Sequence, residues 1–151
     1  MKVLMVCLGN ICRSPLANGL LRDKILLNNL QVEVDSCGTS SHHVGEQPDE
    51  RMMETALQYG YDLSDLRSRQ FTVDDFDRFD TIYVMDSSNY NNVIRLARSE
   101  EDKEKVKLFL NELYSGKNMA VPDPYYGGEQ GFEDVYELVD KTTDIIIEKL
   151  K

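Results

Sequence analysis

The chain has 151 residues, and 17 Lys and Arg against 27 Asp and Glu give it a formal charge of −10. That length is one ordinary domain, able to bury roughly 70% of the surface its unfolded chain exposes, and a hydrophobic content of 41% excludes wholesale disorder. The acidic balance sets the chain against nucleic acid and anionic membranes, and three cysteines, too few and odd in number for a disulfide scaffold, fit a reducing compartment.

Lys2 and the apolar run Val3 to Leu8 resemble the start of a signal peptide, but the run ends after six residues at Gly9-Asn10, below the roughly 7–15 of an h-region. No stretch approaches the roughly 18 apolar residues of a membrane span. The expectation is a soluble, cytoplasmic protein with no membrane partner.

The near-continuous apolar run at 2–8 reads as a fully buried parallel strand. Ser14-Pro15 opens a helix, proline standing in the first turn where its missing N–H costs nothing, and Leu16, Ala17, Leu20, Leu21 and Leu27 give that helix an apolar face. Val32 to Ser36 reads as a second strand, closed by Cys37-Gly38. Pro48-Asp49-Glu50 starts a helix whose buried stripe is Met52, Met53, Ala56 and Leu57, with Gly60 as its stop. Thr72 to Asp75 caps a short helical turn. Thr81 to Met85 and Val106 to Leu110 read as the third and fourth strands, with a helix from Ser88 to Ala97 between them. A last helix covers 132–150, with Phe132, Val135, Val139, Ile146 and Leu150 near one face. Repeated strand–helix alternation predicts one α/β domain over residues 1–151, a parallel sheet with helices on both faces.

In such sheets the ligand sits beyond the carboxyl ends of the strands. The first strand runs into Cys7-Leu8-Gly9-Asn10-Ile11-Cys12-Arg13-Ser14-Pro15 and directly into a helix. A tight strand-to-helix loop turns successive backbone N–H groups inward and adds the positive helix N-terminus, a concavity suited to a phosphate-like anion. Gly9 is expected to supply positive φ and close approach of the ligand. Arg13 adds an always-charged fork for two phosphate oxygens. Cys7 is expected at the bottom of the cradle as the nucleophile, and Ser14 is placed to hydrogen-bond the sulfur. No Gly-Lys-Ser/Thr follows, so this is not a Walker A loop. A thiolate beneath an oxyanion cradle points to nucleophilic attack on phosphorus.

The string from Cys7 to Pro15 resembles the signature of the low-molecular-weight protein tyrosine phosphatases. The resemblance extends through Asp35-Ser36-Cys37-Gly38-Thr39, His43-Val44-Gly45, Arg67-Ser68-Arg69-Gln70, Met85-Asp86 and Asp123-Pro124-Tyr125, essentially the whole chain. It implies a four-stranded parallel sheet of order 2-1-3-4. It also implies hydrolysis of phosphotyrosine in proteins or of aryl phosphates, a phosphocysteine intermediate, inorganic phosphate as product, and neither metal nor cofactor. Cys7, Arg13 and Asp123 are the implied catalytic residues. Leu8, Gly9, Asn10, Ile11, Cys12 and Ser14 are the implied phosphate loop.

Thiolate attack expels a poor leaving group and therefore needs a proton donor. Asp123 stands between Pro122 and Pro124, too far from Cys7 in sequence for spacing to place it there; the Asp-Pro-Tyr match is what implies its role. Tyr125 and Tyr126 are rigid aromatic surface suited to walling a phenyl ring. The family often carries an aromatic residue at the position of His42, which can itself stack on a ring. A second departure is Leu66, where many relatives place a histidine bonded to the loop; Asn10, Ser14 and Ser36 are then expected to orient one another or to use water. A reversible Cys7–Cys12 disulfide is a further implication of the family. Cys37 is read as packing, and Cys7, Cys12, Cys37, His42 and His43 lack the paired spacing of a zinc site.

Arsenate reduction on the same scaffold would need further cysteines on a mobile segment, and none occurs around residues 70–100. Phosphoarginine hydrolysis is a nearer rival, but relatives that perform it tend to carry threonine where Ile11 stands. A non-catalytic phosphopeptide module needs neither thiolate nor acid.

Overall fold

A computed structural model describes residues 1–126 and 128–151, Tyr126 through its backbone only. Four parallel strands, β1 (Lys2–Cys7), β2 (Glu33–Gly38), β3 (Thr81–Val84) and β4 (Val106–Leu108), form one sheet of order β2-β1-β3-β4. β1, with four of its six residues aliphatic or Met, occupies the interior of the sheet, flanked on both edges. Its alternate residues feed two cores: Val3, Met5 and Cys7 face one, Leu4 and Val6 the other. The larger core takes α1 (Arg13–Leu27), α2 (Glu50–Gln58) and α6 (Glu129–Leu150), through residues such as Leu16, Leu20, Met52, Phe132 and Val139. The smaller core takes Phe76 from α3 (Asp75–Arg78) and Val93 from α4 (Ser87–Ile94). A short helix, α5 (Glu100–Glu104), and two 3-10 turns, Phe109–Glu112 and Pro124–Tyr126, complete the fold.

The sequence pattern recovers every strand, with the expected differences at the ends. β2 continues through Cys37-Gly38 rather than stopping at Ser36, because both residues pair with the end of β1. β4 stops at Leu108, where the backbone tightens into a 3-10 turn. α5 carries no apolar period, and its three acidic residues in the first turn and the Ser99 cap mark it only by local helix-start chemistry. Leu57, expected on the buried stripe of α2, is 63% exposed; Thr55 lies inward instead beside Met52 and Ala56. α6 begins at Glu129, three residues before its first buried side chain, Phe132.

Candidate active site

β1 ends at Cys7 and α1 begins at Arg13, so the intervening loop lies at the carboxyl edge of the sheet. Its carbonyls are held from outside by neighbouring segments. Cys7 and Leu8 accept from the Thr39 and Ser40 amides at 2.9 and 3.0 Å, and Ile11 accepts from the Asp49 amide at 2.7 Å. The Ser68 hydroxyl donates to the Gly9 carbonyl at 3.0 Å. No peptide among the described residues is cis, and a trans peptide sets its N–H opposite its carbonyl. The N–H groups of Leu8, Gly9, Asn10 and Cys12 therefore turn to the concave side, where α1 adds its positive end.

The left-handed residue in this loop is Asn10, with φ of 56°, not Gly9. Asparagine tolerates that conformation because its side chain bonds locally: Nδ2 donates to Ser14 Oγ at 2.7 Å, and Oδ1 accepts from the Arg69 amide at 3.1 Å. At position 9 a side chain would instead meet a neighbour. A Cβ there would lie 3.1 Å from Cδ2 of the His43 ring.

Ser14 Oγ lies 3.0 Å from Cys7 Sγ and 3.3 Å from the Cys37 carbonyl. Because Asn10 donates to it, its hydroxyl hydrogen is free for the sulfur or for that carbonyl. Ser36, expected to join this group, instead accepts from Asn18 Nδ2 at 3.1 Å. Arg69 and Ser68 supply the loop contacts that Leu66 does not, and Leu66 packs against the larger core.

Arg13 is 3% exposed. Its Nη1 donates to Asp86 Oδ2 at 2.8 Å and to the Val121 carbonyl at 3.1 Å, while Nη2 lies 3.7 Å from Asp123 Oδ2. Burial works against its charge, but Cys7, Asp86 and Asp123 outweigh that penalty and hold its pKa above the ordinary value. Asp86 also caps α4, accepting from the Asn89 amide at 2.8 Å. Sequence reading missed this carboxylate as a site residue; its signal is an aspartate between the end of β3 and a Ser-Ser-Asn helix start. The burial of Cys12 and Cys37 pushes both thiols well above their ordinary range.

The acid-bearing loop is pinned at its base by the Val121 amide donating to the Met85 carbonyl at 2.8 Å. Asp123 itself is exposed, and its Oδ1 accepts from the Tyr125 amide at 3.0 Å. One open cavity of about 590 Å³ is lined by Cys7, Leu8, Gly9, Ile11, Cys12, Arg13, His42, His43, Asp123 and Tyr125, together with Ser40. Both histidines thus line it, but His43 is the one against Gly9. Its ring lies 6.5 Å from that of Tyr125 at 50°, and its Nδ1 is 2.8 Å from Glu46. The side chain of Tyr126, the other expected wall, lies outside the described residues.

The profile of the family described as "Low molecular weight phosphotyrosine protein phosphatase" matches residues 2–151. The chain belongs to that family. A relative of that name from Schizosaccharomyces pombe is 43% identical over 143 residues, covering 92% of this chain and 90% of its own. A crystal structure of a protein tyrosine phosphatase from Entamoeba histolytica, with Hepes in its active site, superposes with a TM-score of 0.92 at 39% identity, covering 99% of this chain and 96% of that one. A structure described as the Drosophila arginine phosphatase superposes with the same TM-score, 0.92, at 31% identity, covering 100% and 98%. The parallel sheet with helices on both faces is what the strand–helix alternation predicts, and its order β2-β1-β3-β4 is the one the resemblance implies.

Proposed function

We propose that this family member hydrolyses phosphotyrosine monoesters in two steps, with Cys7 as nucleophile, Arg13 and the loop amides as the oxyanion cradle, and Asp123 as acid and then base. The observation that carries the reading is the single cavity in which Cys7, Arg13 and Asp123 meet although Asp123 follows Cys7 by 116 positions. In the first step the Cys7 thiolate forms the S–P bond as the P–O bond to the phenol breaks, and Asp123 delivers its proton to the departing oxygen. The buried Arg13 fork and the inward amides hold the equatorial oxygens, where preorganised donors act most strongly. In the second step Asp123 takes a proton from water as that water attacks phosphorus. The S–P bond breaks and inorganic phosphate leaves.

Substrate class follows from the walls. Ile11, Leu8 and the rings of His43 and Tyr125 offer apolar and aromatic surface to a phenyl ring. A guanidinium would want a polar partner where Ile11 stands. Three free cysteines, two of them with thiols held neutral by burial, suit a cytoplasmic protein. Phosphotyrosine, phosphoserine, phosphoarginine and arsenate, assayed side by side, test the reading: turnover of phosphotyrosine is expected, and hydrolysis of phosphoarginine alone would overturn it.

A further inference from the structure

The phosphate loop and the acid-bearing loop come from opposite ends of the chain, and one residue outside both reaches the second directly and the first through Asp49. Arg51, in the first turn of α2, is held by Asp49: its Nε donates to Oδ1 at 3.1 Å and its Nη2 to Oδ2 at 2.9 Å, a two-point grip. Asp49 in turn donates its amide to the Ile11 carbonyl of the phosphate loop at 2.7 Å. On the other side, Arg51 Nη2 donates to the Tyr125 carbonyl at 3.2 Å. The guanidinium carbon sits 5.4 Å from the centre of the Tyr125 ring and 4.7 Å from that of Phe132, at the start of α6. The Tyr125 amide completes the path by donating to Asp123 Oδ1.

We propose that Arg51 is a positioning residue for proton transfer, a strut running from Ile11 through Asp49 to Tyr125 that sets the Asp123 carboxyl at a fixed height above Cys7. Two features fit that task better than simple packing. The guanidinium is planar and forked, so its grip on Asp49 and its donation to the Tyr125 carbonyl are made by one rigid group. Its far-end contact is to a backbone carbonyl two residues from the acid, so displacing it moves the loop rather than one side chain. Lysine, a flexible point charge, cannot hold both ends at once.

The inference rests on Asp123 being the acid, and the test separates the two. Arg51→Met, which keeps apolar contact with Phe132, and Arg51→Lys, which keeps the charge, are compared with the parent on phenyl phosphate and on p-nitrophenyl phosphate. The first ester needs a proton for its leaving group and the second needs it far less. Both variants are expected to lose about tenfold in kcat/KM, which reports only the step in which the phenol departs, on phenyl phosphate and under about threefold on p-nitrophenyl phosphate, while inhibition by inorganic phosphate stays unchanged because the Asp49–Ile11 bond is between backbones. Equal losses on the two esters overturn the strut, since a general loss of fold or of the cradle would produce them. Asp123→Asn is the control: if it shows no leaving-group dependence, the acid assignment itself fails. If Asp123→Asn shows that dependence and the Arg51 variants do not, only the strut fails. Adding Arg51→Met to Asp123→Asn is expected to give no further loss on phenyl phosphate, and a full additive loss overturns the proposal.

Discussion

In the proposed reaction Cys7 and Asp123 divide the chemistry, and each substitution has its own expected signature. Cys7→Ser is expected to bring phosphate-ester turnover below detection while inorganic phosphate still binds, measured as calorimetric affinity, because the amide cradle and Arg13 do not depend on the sulfur. Asp123→Asn is expected to slow phenyl phosphate by roughly 10²–10⁴-fold and nitrophenyl phosphate much less. The three cysteines, all buried, are expected to differ in reactivity. Cys12 and Cys37 have raised pKa values, so below the ordinary thiol range both remain protonated and poor nucleophiles. Iodoacetate at neutral pH is expected to label Cys7 alone, read by peptide mapping, and inorganic phosphate to protect it. Labelling of all three in the folded protein would contradict this ordering. Cys7, Arg13 and Ser14 were legible from sequence because one contiguous strand–loop–helix segment carries them. His43 was not: its role comes from lying against Gly9, a contact between segments more than thirty residues apart.

At the scale of elements, the end of β2 is packed against the phosphate loop with no space for a side chain. A Cβ on Gly38 would meet the Leu8 carbonyl oxygen at 2.7 Å and the Asn10 amide nitrogen at 3.1 Å, both backbone atoms. Gly38→Ala is therefore expected to displace the cradle and to weaken phosphate binding and turnover together, checked by inhibition constants and kcat/KM. Gly19→Ala strikes elsewhere. Its Cβ would lie 2.1 Å from Cδ2 of the buried Leu63, so the cost is overpacking, about 1–3 kcal/mol of stability, read by denaturant unfolding, with the cradle spared. The strut contributes a pH dependence. Burial pushes the Asp49 carboxyl up, but the hydrogen bonds from Arg51 outweigh it and hold the pKa below the ordinary 3.8. A depressed carboxylate stabilises the fold above its unfolded value and loses that contribution as pH falls through the folded one. The grip of Arg51 on Asp49 thus persists at neutral pH and is lost only in acid below 3.8. None of these packing facts has a period or motif; they arise where β2, α2 and the acid loop converge.

For the whole molecule, the charge of −10 and the phosphate cradle have opposite signs. The cradle is local, built from backbone amides and one buried arginine, and a small aryl phosphate meets mainly that field. An acidic phosphopeptide meets the rest of the surface as well. Its kcat/KM is expected to rise as ionic strength screens the repulsion, whereas that of phenyl phosphate responds little; a fall with salt for the acidic peptide would show a basic docking surface that the composition conceals. Helix pairing across the larger core carries its own buried charge: Lys24 on α1 donates to Asp140 Oδ1 at 2.7 Å and to Thr143 Oγ1 at 2.8 Å on α6. No described helix is long and apolar enough to cross a membrane.

The sequence by itself determined the alternation of strands and helices, the parallel sheet, and a tight strand-to-helix loop that carries Cys7, Arg13 and Ser14, because these depend on side-chain periodicity and on neighbours within about ten residues. It placed Asp123 only through resemblance. The tertiary structure decided what distance in the chain hides. Asp86 and the Val121 carbonyl hold Arg13, Ser68 and Arg69 fasten the loop that Leu66 leaves alone, and Arg51 links the Tyr125 carbonyl to Asp49, whose amide bonds to Ile11. Even at Gly9 the constraint is through-space, a histidine ring 3.1 Å from where a Cβ would stand, rather than a turn in its own backbone. Local rules write elements; the closeness of atoms across elements is settled only when the sheet brings its carboxyl edges together.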